Sequence, residues 1–148
     1  MSVHAASDPI ARFRDWQREA AAGVLSQPNA MCLSTVDADG VPHARFVDLK
    51  TVTADGFVFC TSHESPKAVQ IDAASHVSLT FWWDHAGRQV RILGVPARIT
   101  HAAADTFWAE RGRDAQLASW SCEQSRPLSP GETLQDRVAG VRARFGDG

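Results

Sequence analysis

Strand-like segments joined by short turns dominate the first hundred residues of this chain. Ala30–Val36 is followed by the turn segment 37–40, with the sequence DADG, and then by a second strand-like segment, His43–Val52. A turn rich in aspartate and glycine between two such segments predicts a β-hairpin. Hairpins join antiparallel neighbours, whereas parallel strands need a long crossover. The pattern therefore predicts an antiparallel sheet, closed or split into a barrel, rather than a parallel α/β fold.

The same alternation of strands and turns continues beyond the first hairpin. Asp55-Gly56 is a second turn signal, and a short apolar strand, Phe57–Thr61, follows it. Val77–Trp83 and Arg88–Thr100 predict another hairpin around residues 84–87, with the sequence DHAG. The sequence thus predicts about five antiparallel strands.

Helices are predicted before, between and after these strands. Ser7 or Asp8 can cap a first helix that has Pro9 in its first turn. Ser65-Pro66 reads as the opening of a second helix that ends near Ala74, and 102–121 is predicted to be helical with a break at Gly112. We expect one mainly β, α+β domain over residues 1–148, in which the N-terminal helix spans 8–25, the barrel 30–100 and a helical part 102–145.

Composition excludes several classes of function. Fifteen basic and seventeen acidic residues give a net charge of -2, which provides no electrostatic basis for binding nucleic acid or an anionic membrane. No apolar segment approaches the length of a membrane span, and residues 1–20 lack the basic start and apolar core of a signal peptide. We expect a cytoplasmic protein.

The cysteines and histidines do not form a recognisable ligand pattern. Three widely spaced cysteines, Cys32, Cys60 and Cys122, without a C-x-x-C pair argue against a disulfide framework and a thiolate zinc site. Cys32 and Cys60 lie in strand-like segments, where a thiol usually acts as a small apolar side chain. The six histidines have no metal-ligand spacing, so we expect no metal site.

The chain has only two lysines against thirteen arginines, and both lie in segments suited to a phosphate. Lys50 closes the segment 45–50, with the sequence RFVDLK, and Lys67 falls in the first turn of the helix opened by Ser65. A helix start with an added ammonium is a ready anion site. The alternative is that both lysines lie on a solvated surface.

Several motifs in a fixed order carry a family resemblance. They are AM at 30–31, DGVP at 39–42, RFVDLK at 45–50, FVFCT at 57–61, SPKA at 65–68, RQV at 88–90, RGRDAQ at 111–116, Trp120 and QS at 124–125. In this order and spacing the chain closely resembles the pyridoxamine 5′-phosphate oxidase family of FMN-dependent enzymes, over roughly residues 8–129. The resemblance implies an FMN-binding split barrel that forms a homodimer with two flavins at the subunit interface.

The resemblance also implies roles for individual residues. Arg45 and Lys67 would contact the FMN phosphate, helped by the Thr61 hydroxyl next to Cys60. The flavin ring would lie along the backbone of Phe46, Val47 and Asp48, with Gln89 on a facing strand and Gln124 and Ser125 from the other subunit. Lys50 would lie between flavin and substrate. The substrate site would comprise Arg111 and the positions of Phe107 and Ala115.

The residues themselves agree with most of this assignment. Arginine offers paired donors to a phosphate and lysine a point charge, while redox chemistry belongs to the flavin. Arg45 and Lys50 are five residues apart, so a regular strand would direct them to opposite faces. They can share a ligand only if the strand is bulged or if Lys50 lies past its end. Taken alone, Gln89 also fits an exposed strand position, and Gln124-Ser125 a helix-ending loop.

The aromatic residues bear on the expected dimer. In Phe81-Trp82-Trp83, successive side chains of a strand alternate, so at least one ring must face away from the core. The tryptophans Trp82, Trp83, Trp108 and Trp120 supply more aromatic surface than a short core hides. A two-fold interface would cover it.

The chain differs from the family pattern at positions that bear on the substrate. Phe107 stands in place of the usual tyrosine and Ala115 in place of the usual serine, so two hydroxyl donors to a substrate phosphate are missing. Pro66 replaces a basic residue beside Lys67. The sequence also stops at Gly148, before the strands that usually bring a tryptophan and an arginine–histidine pair to the site.

Three interpretations therefore stay open. The chain is predicted to be an FMN-dependent oxidoreductase that acts on a small planar or anionic substrate other than pyridoxine phosphate. It could instead be a shortened pyridoxine/pyridoxamine 5′-phosphate oxidase. It could also bind flavin, or haem, without catalysis.

Overall fold

The structure, a computed structural model, describes residues 8–23 and 26–146. Within these residues, five antiparallel strands form a curled half-barrel flanked by five α-helices. The strands are β1 (Ala30–Val36), β2 (Pro42–Val52), β3 (Phe57–Phe59), β4 (Val77–Trp83) and β5 (Arg88–Gly94). The helices are α1 (Pro9–Ala22), α2 (Pro66–Ala73), α3 (His101–Ala109), α4 (Arg113–Ser121) and α5 (Leu134–Phe145). The predicted antiparallel split barrel is confirmed.

The sheet order is β3-β2-β1-β4-β5, with antiparallel pairing throughout. The turn between β1 and β2 is closed by the Asp37 carboxylate, which accepts from the backbone N–H groups of Asp39 and Val41. Gly40, at φ 83°, takes the left-handed conformation that this turn requires. The predicted first hairpin is thus confirmed, and β2 begins one residue earlier than expected.

One layer of aromatic and aliphatic side chains forms the core between α1 and the sheet. Phe13 of α1 packs edge-on against Phe57 and Phe81, with ring centroids 4.8 Å and 5.0 Å away. Trp83 is also buried, and its indole N–H donates to the Pro28 carbonyl at 3.0 Å. Burial of these large rings against each other is the main driving force for placing α1 on this face.

The aromatic triplet of β4 is divided between the two faces as strand alternation requires. Phe81 and Trp83 are 0% and 1% exposed, whereas Trp82 is 59% exposed. The expectation that one ring faces away from the core is confirmed. Of the four tryptophans considered for an interface, Trp83 lies in the core, whereas Trp82, Trp108 and Trp120 are exposed.

Three predicted boundaries were wrong at their C-terminal ends. α1 ends at Ala22 with Gly23 as its C-cap, and its predicted last residues 24–25 lie outside the described part of the chain. β3 ends at Phe59, so Cys60 and Thr61 belong to the following loop. β5 ends at Gly94 rather than at Thr100, because Pro96 has no N–H for the ladder.

The helical predictions hold in their main features. Asp8 caps α1 by accepting from the Ile10 N–H at 3.0 Å, whereas Ser7 lies outside the described residues. The 102–121 segment is broken into α3 and α4, with Gly112 at the N-cap of α4. Thr133 and Asp136 form a capping box at the start of α5.

Among the described residues no helix is long and apolar enough to cross a membrane.

Candidate functional site

Two cations lie together where α2 packs on the sheet. Lys67, in the first turn of α2, is only 7% exposed, and Arg45 of β2 is close enough for its charge to act on Lys67. Burial lowers the pKa of Lys67 below its ordinary value of 10.5, and the neighbouring Arg45 charge lowers it further. The proposal that Lys67 lies on a solvated surface is therefore wrong.

Arg45 is held by neutral acceptors. Its guanidinium donates to the Thr35 hydroxyl at 2.6 Å, to the Gln70 side-chain carbonyl at 2.8 Å and to the Leu33 carbonyl at 3.3 Å. Thr35 in turn donates to the same Gln70 oxygen at 2.6 Å. Thr35 and Gln70 are buried, so the guanidinium has a fixed position on the inner side of the sheet.

No carboxylate neutralises these two cations in the described part of the chain. The ion pairs found there involve other residues, and the Lys67 ammonium has neither a hydrogen bond nor an ion pair. A buried, unpaired charge costs several kcal/mol in general. Two adjacent cations without a counter-ion are what a protein site for a multiply charged anion requires.

Hydroxyl and amide groups of two loops lie next to the start of α2. Thr61 Oγ1 donates to Gln124 Oε1 at 3.2 Å and lies 3.3 Å from Ser65 Oγ. Ser65 is the N-cap residue of α2, but its hydroxyl donates to the Ser62 carbonyl instead of capping the helix. Ser125, which follows Gln124, has φ 67°, a left-handed conformation uncommon for a residue other than glycine.

The middle of β2 lines a shallow open depression. Its walls are Phe46, Val47 and Asp48 of β2 together with Gln27 and Ala30. Phe46 is 76% exposed, whereas Val47 packs partly against the core. The backbone segment expected to run along a flavin ring is therefore open to the solvent.

Lys50 lies on the other side of β2 from Arg45. Burial alternates along the strand, which groups the exposed Lys50 with Phe46 and Asp48. Its ammonium is 3.7 Å from the Asp48 carboxylate. The pairing with β3 shifts register between Leu49 and Thr51, but Lys50 still lies on the opposite side of β2 from Arg45, as the five-residue spacing predicts for a regular strand.

Gln89 and Cys60 are both exposed. Gln89 of β5 lies directly opposite Trp82 of β4, on the outer face of the sheet. Cys60 follows β3 and is exposed, so the expectation that it acts as a buried apolar side chain was wrong. Cys32 is only partly buried, because its position in β1 also directs it to the outer face.

The substrate residues named by the resemblance lie on α3, on α4 and between them. Phe107 of α3 is partly buried, and Ala115 of α4 is exposed. Arg111 donates to the Ser119 hydroxyl at 2.7 Å, and its guanidinium is 5.8 Å from the centre of the Trp108 ring. Like Arg45, it has no ion pair in the described part of the chain, so its charge is available to an anion.

Some of the expected site residues are thus brought together and others are kept apart. Arg45 and Lys67 share one location, and Thr61 and Gln124 share a hydrogen bond within one chain. Lys50, Gln89 and Arg111 have no described contact with that location. Sequence reasoning missed Thr35 and Gln70. The available signals were a polar residue at an inward position of β1 and a glutamine three residues after Lys67 on one helix face.

The described residues offer no alternative centre for a metal ion. Among them, no three His, Cys, Asp or Glu side chains group closely enough to hold one.

The family follows from a comparison with known proteins. The family model for pyridoxamine 5′-phosphate oxidase matches residues 17–145. The chain belongs to this family. The match includes α2, the five strands and α3 to α5, and so it covers both cations.

A curated relative agrees with this assignment. A pyridoxine/pyridoxamine 5′-phosphate oxidase of Caulobacter vibrioides is 43% identical over 141 residues, and the match covers 95% of this chain but 64% of that protein. The chain therefore spans somewhat less than two thirds of that relative.

Two solved structures share the fold at lower identity. PhzG of Burkholderia lata, in complex with tetrahydrophenazine-1-carboxylic acid, has a TM-score of 0.89 at 24% identity and matches 98% of this chain and 72% of that one. A pyridoxamine 5′-phosphate oxidase-related, FMN-binding protein of Nostoc punctiforme has a TM-score of 0.64 at 20% identity, with 86% of this chain and 69% of that chain covered.

Proposed function

We propose that this protein binds FMN and that Arg45 and Lys67 hold the FMN phosphate. The observation that carries the proposal is the buried Lys67 ammonium, which lies beside Arg45 and has no anionic partner among the described residues. A phosphate dianion would neutralise both cations. Membership of the family and the FMN-binding protein of the same fold support flavin as the group that carries it.

The donors present fit a phosphate. Arg45 uses three of its five N–H donors on Thr35, Leu33 and Gln70, so two remain for a ligand. All three donors of the Lys67 ammonium remain. The hydroxyls of Thr61 and Ser65 lie at the same end of α2 and would have to turn from Gln124 and Ser62 to donate to a ligand. The site has no Gly-rich dinucleotide turn, which favours the mononucleotide FMN over FAD.

The other cofactor contacts are proposed from the family resemblance. Phe46, Val47 and Asp48 would line the flavin ring, with Cys60 and Thr61 near the phosphate end and Gln89, Gln124 and Ser125 as further polar partners. The open depression along β2 supports this placement of the ring. When bound, the flavin supplies the redox chemistry, and the chain supplies position and charge.

We also propose that two copies of the chain form a homodimer through the outer face of the sheet. Phe46, Trp82 and Leu93 are 76%, 59% and 70% exposed, and strand alternation places all three on this face. These side chains come from β2, β4 and β5, and Thr80 and Arg91 lie between them on the same face. Exposed large apolar side chains mixed with polar ones on one face favour a subunit interface. Lys50 and Gln89 lie on the same face, so dimerisation would bring them into the shared site.

The reaction proposed is an FMN-dependent oxidation of a small planar or anionic substrate. Arg111 and Lys50 would supply positive charge to that substrate. Phe107 and Ala115 have no hydroxyl, so they cannot donate to a substrate phosphate as the family's usual residues do. A planar carboxylic acid, the class of ligand in the Burkholderia complex, needs fewer donors than a phosphate monoester.

Comparison of FMN with riboflavin tests the cofactor proposal. The two differ only in the phosphate, so the wild-type protein should bind FMN more tightly than riboflavin and acquire flavin absorbance. Equal affinities for the two ligands would contradict the phosphate site, and failure to bind either would contradict the flavin assignment.

Steady-state turnover with pyridoxine phosphate and oxygen tests the substrate proposal. Each missing donor to a charged phosphate is worth about 1.5–3 kcal/mol, so we expect kcat/KM well below the ordinary enzyme range of about 10⁴ M⁻¹s⁻¹. Peroxide release is the readout, and a planar carboxylic acid serves as the comparison substrate. A value within the ordinary range would identify the protein as a true pyridoxine phosphate oxidase. A flavin-loaded protein that oxidises neither would be a flavin-binding protein without this activity.

A further inference from the structure

Thr35 and Gln70 form a hydrogen-bonded ring with Arg45. Arg45 donates to both side chains, at 2.6 Å and 2.8 Å, and Thr35 donates to Gln70 at 2.6 Å. Because the guanidinium can only donate, Thr35 must accept from it, and the Thr35 hydroxyl hydrogen is then available to Gln70. Two donors converge on one Gln70 atom, so that atom must be the amide oxygen.

The chemistry of this ring is unusual for an arginine that is partly removed from solvent. Buried arginines are ordinarily paired with a carboxylate, which fixes the guanidinium but cancels its charge. Here two neutral oxygens fix the guanidinium and leave its charge intact. Replacing Gln70 by the nearly isosteric glutamate would provide that missing carboxylate. Whether position 70 holds glutamine or glutamate therefore decides whether the positive charge of Arg45 and Lys67 is left for a ligand.

We infer that Gln70 and Thr35 are positioning residues that hold Arg45 for a phosphate-bearing ligand while keeping the site doubly positive. This inference rests on the proposed FMN phosphate site. Lys67 and Gln70 are three residues apart on α2, so both side chains project from one helix face toward Arg45. Helix α2 therefore places the Lys67 ammonium and the neutral Gln70 acceptor beside Arg45.

The decisive variant is Gln70→Glu. Its affinities for FMN and riboflavin are measured, together with the Tm of the flavin-free protein. We expect FMN affinity to fall at least about tenfold, because the new carboxylate neutralises Arg45 and repels the phosphate. Riboflavin affinity should change less than about twofold, because riboflavin has no phosphate for the new carboxylate to repel. The Tm of the flavin-free variant should rise, because the carboxylate pairs with the buried cations.

The opposite signs of these two effects separate a positioning role from a structural one. If Gln70 only stabilised the fold, FMN affinity, riboflavin affinity and Tm would fall together, and that result would overturn the inference. Unchanged FMN affinity in Gln70→Glu, with the wild-type protein still preferring FMN to riboflavin, would also overturn it while leaving the phosphate site standing. Equal wild-type affinities for the two flavins would remove the phosphate site and the inference with it.

Substitutions of Thr35 provide an independent test if Gln70→Glu does not fold. Thr35→Val keeps the shape but removes both hydrogen bonds of the hydroxyl, and Thr35→Ser keeps the hydroxyl. We expect FMN affinity to fall several-fold in Thr35→Val and to return toward the wild-type value in Thr35→Ser, with riboflavin affinity unchanged in both. Equal FMN affinities in the two variants would contradict the role of the hydroxyl.

Discussion

The chain's two lysines lie on opposite sides of the sheet and have opposite electrostatic surroundings. On the inner side, Lys67 of α2 is 7% exposed and has no ion pair among the described residues, and the charge that acts on it is that of Arg45. On the outer face Lys50 is exposed and lies 3.7 Å from Asp48. The Lys50 ammonium has a carboxylate beside it within the chain, whereas the Lys67 ammonium would gain an anionic partner from a bound ligand.

The contrast indicates that Lys67 lowers the stability of the ligand-free fold and can serve a ligand, whereas the outer face has no such cost. A buried unpaired ammonium weakens the ligand-free fold, since its charge is removed from water without compensation. Such a cost is explained if the group serves a ligand. The outer face has the reverse character, because its exposed apolar side chains cost little in the monomer and gain from contact with a second copy.

The largest effect is expected for a charge placed on the outer face. Leu93→Glu puts a carboxylate in the proposed dimer interface, and an uncompensated buried charge costs about 3–5 kcal/mol. We expect a dimeric wild-type protein and a monomeric variant in light scattering at micromolar concentration. Leu128→Glu, at a partly exposed leucine outside the sheet, is the matched control and should remain dimeric. A wild-type protein that is monomeric with flavin bound would rule out the interface.

The next effect concerns the inner lysine and the cofactor. Lys67→Met keeps most of the side-chain volume but removes the charge, so FMN binding should weaken by about 1.5–3 kcal/mol, the range for a hydrogen bond to a charged group. Riboflavin binding should be unchanged. Titration of flavin fluorescence measures both, and Arg18→Met, at an exposed cation of α1, is the matched control. If the Lys67 variant binds FMN as the wild type does, the phosphate lies elsewhere.

A smaller effect is expected in the pH dependence of stability. Because burial and Arg45 lower the pKa of Lys67 below 10.5, the folded flavin-free protein binds fewer protons than the unfolded chain between that lowered pKa and 10.5. Stability from this residue therefore rises as the pH rises through that interval. The difference in unfolding free energy between wild type and Lys67→Met should shift in favour of the wild type as pH increases. Bound FMN should flatten this dependence, since a phosphate stabilises the ammonium.

The smallest effect is expected for the outer lysine. Lys50→Met removes an exposed ion pair with Asp48, and such pairs contribute about 0–1 kcal/mol. Urea unfolding should detect little change, and FMN affinity should stay close to the wild-type value. The proposed role of Lys50 predicts instead a change in turnover of substrate. A large loss of FMN affinity in this variant would show that Lys50 and Lys67 do not differ as the two faces suggest.

Local sequence signals predicted much of the fold. The Asp-Gly turns, the alternation in β4 and the Ser-Pro opening of α2 depend on residues close together in the chain, so hairpins and helix starts could be located from sequence. Boundaries were less certain where a long-range pairing ends a strand. β3 stops at Phe59, where its pairing with β2 ends, and neighbouring residues do not reveal that end. β5 stops at Gly94, shortly before Pro96, which has no N–H for the ladder.

The sequence by itself determined the antiparallel class, the family resemblance and the pairing of Arg45 with Lys67 as candidates for one anion. Only the tertiary structure decided that Lys67 is buried and has no ion pair among the described residues, and that Thr35 and Gln70 hold the Arg45 guanidinium. Thr35 comes from β1, Arg45 from β2, and Lys67 and Gln70 from α2. Their hydrogen bonds join residues 10 to 35 positions apart. Local propensity specifies which residues a strand or helix contains, but burial and charge pairing depend on which elements pack together, and packing is decided by the whole chain.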